Sequence, residues 1–421
     1  MASALAVLGG SPVIPGGLKA IWPVFDDGDR QALLRVFNSG RWNSTAEVQR
    51  FAAEFARFHN ARYGFALSNG TAGLEMALRA GGIEQGDEVI VPAVTFIATA
   101  LAVIFVNAVP VIVDVDPETY GMDPDAAEAA ITPRTRAILT VHYGGYPSDM
   151  DRLTEVARRH GLLLVEDCAH AHASEWKGRR VGGIGDAGAF SFQMSKTLTA
   201  GEGGMMITDR EEIASLRYLH PRSAPMTGLQ AALLRAQLKR LPGQTEMRHE
   251  TGAYLVGGLE EIGGVRPLRR DPRITKRGYY YFIIRYDAAQ FQGVPRSLFI
   301  QALRAEGVPA EAGYGSPIHR HPSLLERRFG EGGYPKNFCP YLGRVDYAEV
   351  SCPVSERALA GEQVTLDGHL LLDGQTAADA ILEAIWKVKR HADDLKGTGD
   401  LDPFPPPNPL PPPTCGGGRG H

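Results

Sequence analysis

Three short stretches of this chain carry residues that could do chemistry. The first is Leu164-Val165-Glu166-Asp167, an apolar run ending in two carboxylates. If the run is a buried strand, Asp167 stands beyond its carboxyl end, where ligands of open α/β sheets bind. A buried carboxylate there is costly unless a cation meets it; taken alone, a capping or salt-bridged aspartate reads equally well. The second is Ser191-Phe192-Gln193-Met194-Ser195-Lys196, followed by the Ser/Thr/Gly-rich run from Thr197 to Gly204. A strand here delivers a lysine into a polar loop. A desolvated lysine amine is a nucleophile toward carbonyls, although a surface lysine is the default for the residue type. With an aspartate at another strand end, it matches the two contacts of a pyridoxal phosphate (PLP) ring: a Schiff-base lysine and an acid at the pyridinium nitrogen. The third is Ser68-Asn69-Gly70-Thr71-Ala72, between a strand pattern and a helix pattern. Free N–H groups and the positive dipole end make such a helix start a phosphate cradle, and Gly70 admits close approach. An ordinary N-capped helix has the same appearance.

The elements needed to position these groups are legible as alternating units. Strand patterns at Tyr63–Leu67, Glu88–Val91, Val109–Val115, Ala137–His142 and Leu162–Glu166 alternate with helical patterns at Thr71–Ala80, Phe96–Val106, Asp123–Ile131 and Met150–His160. A further helix, Ala46–His59, precedes them. Strands that are apolar on both sides predict a mostly parallel sheet covered on both faces. After Asp167 come strands at Ala187–Phe192 and Gly204–Thr208, then helices at Glu211–Leu219, Leu229–Leu241 and Gly252–Ile262. Tyr279–Tyr286 reads as a strand, Arg296–Glu306 and Thr376–His391 as helices. The expected organisation is an irregular N-terminal arm over 1–40, a large domain over 41–254, a smaller α+β domain over 255–395, and a Pro/Gly-rich disordered tail over 396–421.

Composition narrows the class. The 421 residues are 44% hydrophobic and 22% charged, an ordinary globular mix that excludes bulk disorder, collagen and coiled coil. A net charge of −4 leaves no broad basic field, so neither nucleic acid nor a membrane surface is expected as a partner. Cys168, Cys339, Cys352 and Cys415 show no C-x-x-C spacing, which fits reduced thiols in the cytoplasm. The first basic residue, Lys19, follows the apolar N-terminus, opposite to a secretory signal. The uncharged run from Thr95 to Val113 contains Asn107 and Pro110 and is expected to be a helix and a strand rather than a membrane span.

Taken in order, the three stretches resemble the DegT/DnrJ/StrS family of PLP-dependent sugar aminotransferases, and the likeness runs over about residues 5–390. Further blocks carry it: Gly86-Asp87-Glu88-Val89-Ile90-Val91-Pro92 with Thr95-Phe96-Ile97-Ala98-Thr99, Glu166-Asp167-Cys168-Ala169-His170-Ala171, and Thr199-Ala200-Gly201-Glu202-Gly203-Gly204. The resemblance implies the α/β fold of type I PLP-dependent aminotransferases and a homodimer with sites near the subunit interface. It implies that Gly70, Thr71, Ala72 and Ser191 hold the phosphate and that Phe96 stacks on the pyridine ring. Asp167 would pair with the pyridinium nitrogen, His170 would sit near the phenolic oxygen, and Lys196 would form the internal Schiff base. His319 and Tyr314 are candidates on the substrate side. Lys196, where dehydratase members have histidine, implies transamination. Leu8-Gly9-Gly10-Ser11-Pro12-Val13, Trp22-Pro23 and Ser39-Gly40-Arg41-Trp42 look most similar to the aminocyclitol branch. That branch aminates scyllo-inosose or 2-deoxy-scyllo-inosose, generally with L-glutamine. The implied reaction moves an amino group from L-glutamine or L-glutamate to a keto-cyclitol or keto-sugar, in aminocyclitol or amino-sugar biosynthesis.

A nucleotide-linked keto-sugar is the alternative substrate, and its diphosphate would need cationic partners. A third alternative, a PLP-fold protein kept for binding or regulation, comes from a departure. Relatives carry a longer loop ending in Asn-x-Arg-Met, whereas here His220 to Met226 leads directly into Thr227 and the Asn is absent. Arg222 or Ser223 would have to stand in as the donor. Other patterns are expected to be structural. Gly183-Ile184-Gly185-Asp186-Ala187-Gly188 spells G-x-G-x-x-G but precedes a strand. His319 and His321 lack further ligands at metal spacing, and Tyr279–Tyr281 reads as a strand face.

Overall fold

Apolar runs of strand length, each followed by an amphipathic helix, build the centre of the molecule. The computed structural model describes residues 5–215, 224–326 and 345–396. In chain order the first strands are β1 (Tyr63–Leu67), β2 (Glu88–Pro92), β3 (Val109–Val113), β4 (Thr135–Val141) and β5 (Leu163–Asp167). A small pair, β6 (Glu175–Trp176) and β7 (Arg179–Arg180), precedes β8 (Ala187–Ser191) and β9 (Gly204–Thr208). Seven of these form one sheet in the order β1-β9-β8-β5-β4-β2-β3. The pairs β3–β2, β2–β4, β4–β5 and β5–β8 are parallel, and β9 runs antiparallel to both β8 and β1.

The helices of the first half are α1 (Asp27–Asn38), α2 (Thr45–Phe58), α3 (Gly70–Ala80), α4 (Ala98–Phe105), α5 (Pro124–Ala129) and α6 (Met150–His160). Alternation along the strands divides the core between the two faces. Val89, Val91, Leu139 and Val165 pack with Leu74, Ala77 and Leu78 of α3 and Val103 of α4. Ile90, Ile138 and Leu164 pack on the other side with Ala127 of α5 and Met150, Leu153 and Val156 of α6. Asp149 caps the start of α6 through the Arg152 N–H, and Gly161 ends it in the left-handed conformation at φ 65°. The uncharged run from Thr95 divides into α4 and β3, and no described helix is long and apolar enough to cross a membrane.

The second half contributes α7 (Glu211–Ser215), α8 (Gly228–Leu238), α9 (Leu241–Ile262), α10 (Arg296–Ala305), α11 (Pro322–Leu325), α12 (Pro353–Arg357) and α13 (Gln375–Arg390). Its strands are β10 (Val265–Pro267), β11 (Ile274–Lys276), β12 (Tyr281–Tyr286), β13 (Ala310–Glu311) and β14 (Gln363–Asp367). An antiparallel sheet ordered β10-β12-β14-β13 shares a core with α9, α10 and α13. β11 pairs instead with β6 of the first half.

Two organisational expectations change. The arm over 1–40 is not irregular throughout. Asp26 and Asp29 close a capping box at the start of α1, and α1 buries Ala32 and Val36 against Ala232 of α8. Ahead of it, Leu5 is buried in the C-terminal core, and the Ala6 and Val13 N–H groups donate to the Glu306 carboxylate at 2.9 and 3.0 Å. The boundary expected at 254/255 falls inside α9, which runs unbroken for 22 residues. The expected tail, apart from Lys396, and Arg222 and Ser223 lie outside the described residues.

Candidate active site

The carboxyl ends of β5 and β8, the start of α3 and the loop before α4 surround one cavity of about 390 Å³. Asp167 is the last residue of β5 and is buried. Its Oδ2 accepts from the Thr99 hydroxyl at 2.9 Å and its Oδ1 from the Ala169 N–H at 3.1 Å. Thr99 and Thr95 are linked through their hydroxyls at 2.8 Å. Burial pushes the Asp167 carboxyl up, against the pull of the Ala169 N–H, the Thr99 hydroxyl and the Lys196 charge. A carboxylate offers about four acceptor sites, and each oxygen here receives one of these donors. The remaining capacity is buried and suits a cationic N–H from a ligand.

Glu166, one residue earlier, is turned to the opposite side of the strand and is fully satisfied. The Gly182, Ile184 and Gly185 N–H groups donate to it at 2.7, 2.8 and 2.6 Å, and the His142 Nε2 lies 3.0 Å away. Burial would raise this carboxyl, yet His142 and the backbone donors hold it below its ordinary value. The G-x-G-x-x-G stretch therefore cradles an internal anion, which leaves it no nucleotide to bind.

Lys196 follows a tight turn after β8. Its N–H donates to the Gln193 carbonyl at 2.9 Å. Ser195 is held at its N–H and Oγ by Gln193 Oε1 at 2.8 and 2.7 Å, and Oγ also meets the Tyr280 hydroxyl at 2.9 Å. The Lys196 ammonium makes no hydrogen bond or ion pair with the described residues, and lies 4.2 Å from the Tyr280 ring centroid. Tyr280 stacks on His170 with centroids 4.1 Å apart. His170 receives the Gly144 N–H at Nδ1, at 3.4 Å, and its Nε2 lies 3.1 Å from the Tyr314 hydroxyl. Burial first, then the electrostatic influence of Lys196 and His172, hold its pKa well below the ordinary value. The ring is neutral, and its proton sits on Nε2, facing Tyr314.

At α3 the Asn69 side chain accepts the Ala72 N–H at 2.9 Å. Gly70 and Thr71, which open the helix, have no preceding turn to receive their N–H groups, and both line the cavity. A Cβ on Gly70 would come within 2.9 Å of the Ser191 Cβ and 3.3 Å of the Phe190 carbonyl oxygen, so glycine lets α3 meet β8 this closely.

Of the residues singled out in the sequence, Gly70, Thr71, Phe96, Asp167, His170, Ser191, Lys196 and Tyr314 line this cavity. Phe96 stands on its rim, 55% exposed. Ala72 contributes its N–H to the cap and does not line it. His319 is not a lining residue either; its buried ring is committed to Glu356, Nε2 to Oε1 at 2.9 Å. The strand face expected over Tyr279–Tyr281 holds only for Tyr281, which opens β12, and both Tyr280 and Tyr281 line the cavity. The cause is local: Tyr279 takes a positive φ of 46°, and β12 begins only at Tyr281. Thr95 and Thr99 were legible as a block, but not as the pair that orients Asp167.

The fold and this cavity together define an aminotransferase of the type I architecture. The chain belongs to the DegT/DnrJ/EryC1/StrS aminotransferase family, which matches it over residues 24–337. It is 38% identical to a protein of Streptoalloteichus tenebrarius described as a putative L-glutamine:3-amino-2,3-dideoxy-scyllo-inosose aminotransferase, over 94% of this chain and 100% of that one. It is also 38% identical to the L-glutamine:scyllo-inosose aminotransferase of Streptomyces griseus, over 92% and 98%. Among solved structures, 3-amino-5-hydroxybenzoic acid synthase superposes with a TM-score of 0.76 at 34% identity, covering 88% of this chain and 99% of that one.

Proposed function

We propose that this protein is a PLP-dependent transaminase that passes the amino group of L-glutamine or L-glutamate to the ketone of a cyclitol or a related uncharged sugar. One observation carries the reading: a lysine amine with no hydrogen bond or ion pair among the described residues and a half-satisfied buried carboxylate line the same cavity, beside an open helix N-terminus. In it, the Gly70 and Thr71 N–H groups and the Ser191 hydroxyl would hold the phosphate, Phe96 would cover the ring, and Asp167 would take the ring N–H. When bound, the cofactor supplies an electron sink for the donor's α-carbon and a carrier for nitrogen. Lys196 is the chain's own group for taking a proton from that carbon and returning it, as base and then acid. The Asp167 negative charge would keep the ring nitrogen it meets protonated. His170, neutral and donating to Tyr314, is a fixed dipole at the cavity wall.

The lining also supports the substrate class. Lys196 is the only Lys or Arg lining the cavity among the described residues, so these residues by themselves supply no cationic clamp for a nucleotide diphosphate. Tyr280, Tyr281 and Tyr314 instead offer phenols to a polyhydroxylated ring. Burial, then neighbouring tyrosines, push the Tyr281 and Tyr314 phenols up, so they stay protonated as donors and acceptors. The relatives named for scyllo-inosose chemistry favour the same class. The reading includes a homodimer in the cytoplasm, supported by the exposed apolar Ile21, Phe25, Phe37 and Trp42 and by the buried free thiols of Cys168 and Cys352.

The test is a ketone panel with PLP, run with glutamine and with glutamate. Turnover of scyllo-inosose or its 2-deoxy form, absent in Lys196→Ala, is expected. Preferential turnover of a nucleotide-linked keto-hexose would overturn the substrate reading, and undiminished turnover by Lys196→Ala would overturn the mechanism.

A further inference from the structure

Two carbonyls immediately precede Lys196, and each is gripped by a side chain from a remote part of the sequence. The Met194 carbonyl accepts from the Trp22 indole Nε1 at 3.0 Å, and the Ser195 carbonyl lies 3.1 Å from the His369 Nε2. The two gripping rings stack on each other, with centroids 3.7 Å apart and planes within 8°. Behind them Arg248, in the middle of α9, is fully buried and places Nη2 3.0 Å from the His369 Nδ1. A guanidinium can only donate. The His369 Nδ1 therefore accepts, the imidazole proton sits on Nε2, and that N–H points at the Ser195 carbonyl.

Arg248 makes no ion pair within bonding distance among the described residues, the Asp367 carboxylate acting on it only from farther off, and its Nε and Nη1 meet no protein acceptor there. An arginine buried this way is costly; its one hydrogen bond orders His369, and its guanidinium lies 5.4 Å from the Trp22 ring centroid. The chain is shaped to let it do so. Gly368 lies against the Tyr279 carbonyl so closely that a Cβ would stand 1.6 Å from that oxygen, so only glycine brings His369 to this position.

We propose that Arg248, His369 and Trp22 form a brace that fixes the Met194–Ser195 backbone and so sets where the Lys196 amine stands. These are positioning residues: none of the three lines the cavity. The brace ties the nucleophile's loop to the N-terminal arm through Trp22, and to the C-terminal α+β unit through His369. Ser195 is then held at its N–H, Oγ and carbonyl, and the freedom left to Lys196 is its own side chain. The inference rests on the reading of Lys196 as the residue that bonds to PLP.

The test uses the full-length chain freed of cofactor. The rate at which Lys196 bonds to added PLP is read by borohydride trapping and the mass of its peptide, alongside steady-state kinetics. His369→Leu removes the donor, His369→Gln restores a donor near Nε2, and Trp22→Phe keeps the stack while removing the indole N–H. Displacing a reacting atom by about 1 Å costs on the order of a hundredfold. His369→Leu is therefore expected to slow labelling and kcat by about tenfold or more, with little change in KM for the ketone. His369→Gln is expected to regain most of the loss, and Trp22→Phe to fall between. A folded His369→Leu that labels at the wild-type rate overturns the brace. Should that variant fail to fold, Trp22→Phe decides: slowed labelling supports the proposal and a wild-type rate overturns it. A wild-type chain labelled elsewhere than Lys196 fails the underlying reading instead, and is told apart by the mass.

Discussion

Asp167 meets opposing demands, and they set the direction of its variants. Without a ligand, its buried carboxylate is held by one hydroxyl and one backbone N–H, and burial raises its pKa. A carboxyl raised in the folded state opposes folding above that pKa, because the charged form is worse off than in the unfolded chain. Asp167→Asn is therefore expected to raise the melting temperature of the cofactor-free protein. The same change removes the charge that would hold a ring N–H. A charge-assisted hydrogen bond is worth about 1.5–3 kcal/mol, so kcat/KM should fall by about 10–100-fold. Thermal melts of the cofactor-free protein and initial rates of the loaded one check both halves. A variant that melts lower would show that Thr99 and Ala169 already satisfy the carboxylate. Glu166, one residue away, has the reverse arrangement, with three backbone donors and His142 around it. Adjacent carboxylates of one strand thus differ in role because the pleat sends them to opposite faces.

The start of α3 separates scaffold from cradle at the scale of the element. Asn69 supplies the cap through the Ala72 N–H, and Gly70 supplies the close approach to β8. Asn69→Ala should cost about 1 kcal/mol of stability, the usual effect of losing a cap. Gly70→Ala should weaken PLP binding more than stability, because its Cβ presses on Ser191 at the phosphate side. Urea denaturation and PLP titration of both variants distinguish the two; equal losses of affinity would remove the distinction. This element was readable from Ser68 to Ala72 because a cap residue, a glycine and an apolar period follow a strand pattern. β2 to β5 were readable from the same kind of local signal, and so were Asp167 at the end of β5 and Lys196 after β8. What stayed hidden depends on geometry that no local pattern carries. The start of α1 was masked by the surrounding Pro12, Pro15 and Pro23, and its capping box uses aspartate at the third position in place of Glu or Gln. Tyr280 and Tyr281 reach the cavity through the positive φ at Tyr279, where alternation predicts only one of two neighbours per face. His319 is a substrate candidate by resemblance alone, and its Nε2 is committed to Glu356, 37 residues on.

At the scale of the whole molecule, the buried histidines give stability a pH dependence with a definite sign. His59 and His369 are held down to about 3, by burial, with Arg248 adding to the effect on His369. Burial also holds His170 and His172 well below the ordinary value. In the unfolded chain all four take up a proton below about pH 6.5. A lowered histidine pKa means the folded state binds fewer protons in this window, so the stability these groups allow is full above about pH 6.5 and falls as pH drops toward 3. Each contributes up to about 1.4 kcal/mol per pH unit once the pH is well below 6.5. Glu166, held below its ordinary value, acts in the same direction, and Asp167, held above it, opposes. The four rings come from the end of α2, the loop after β5 and the segment after β14, so the sensitivity belongs to the assembled chain. His172 isolates one contribution. Its ring lies 5.6 and 5.7 Å from those of Phe190 and Phe192, in surroundings that accept phenylalanine. Relative to wild type, His172→Phe should gain stability progressively between pH 6 and pH 5, by about 1 kcal/mol, in urea denaturation of the cofactor-free protein. A difference between the two that stays constant from pH 7.5 to pH 5 would mean that His172 takes up its proton over the same pH range in the folded as in the unfolded chain, and that acid sensitivity has another source.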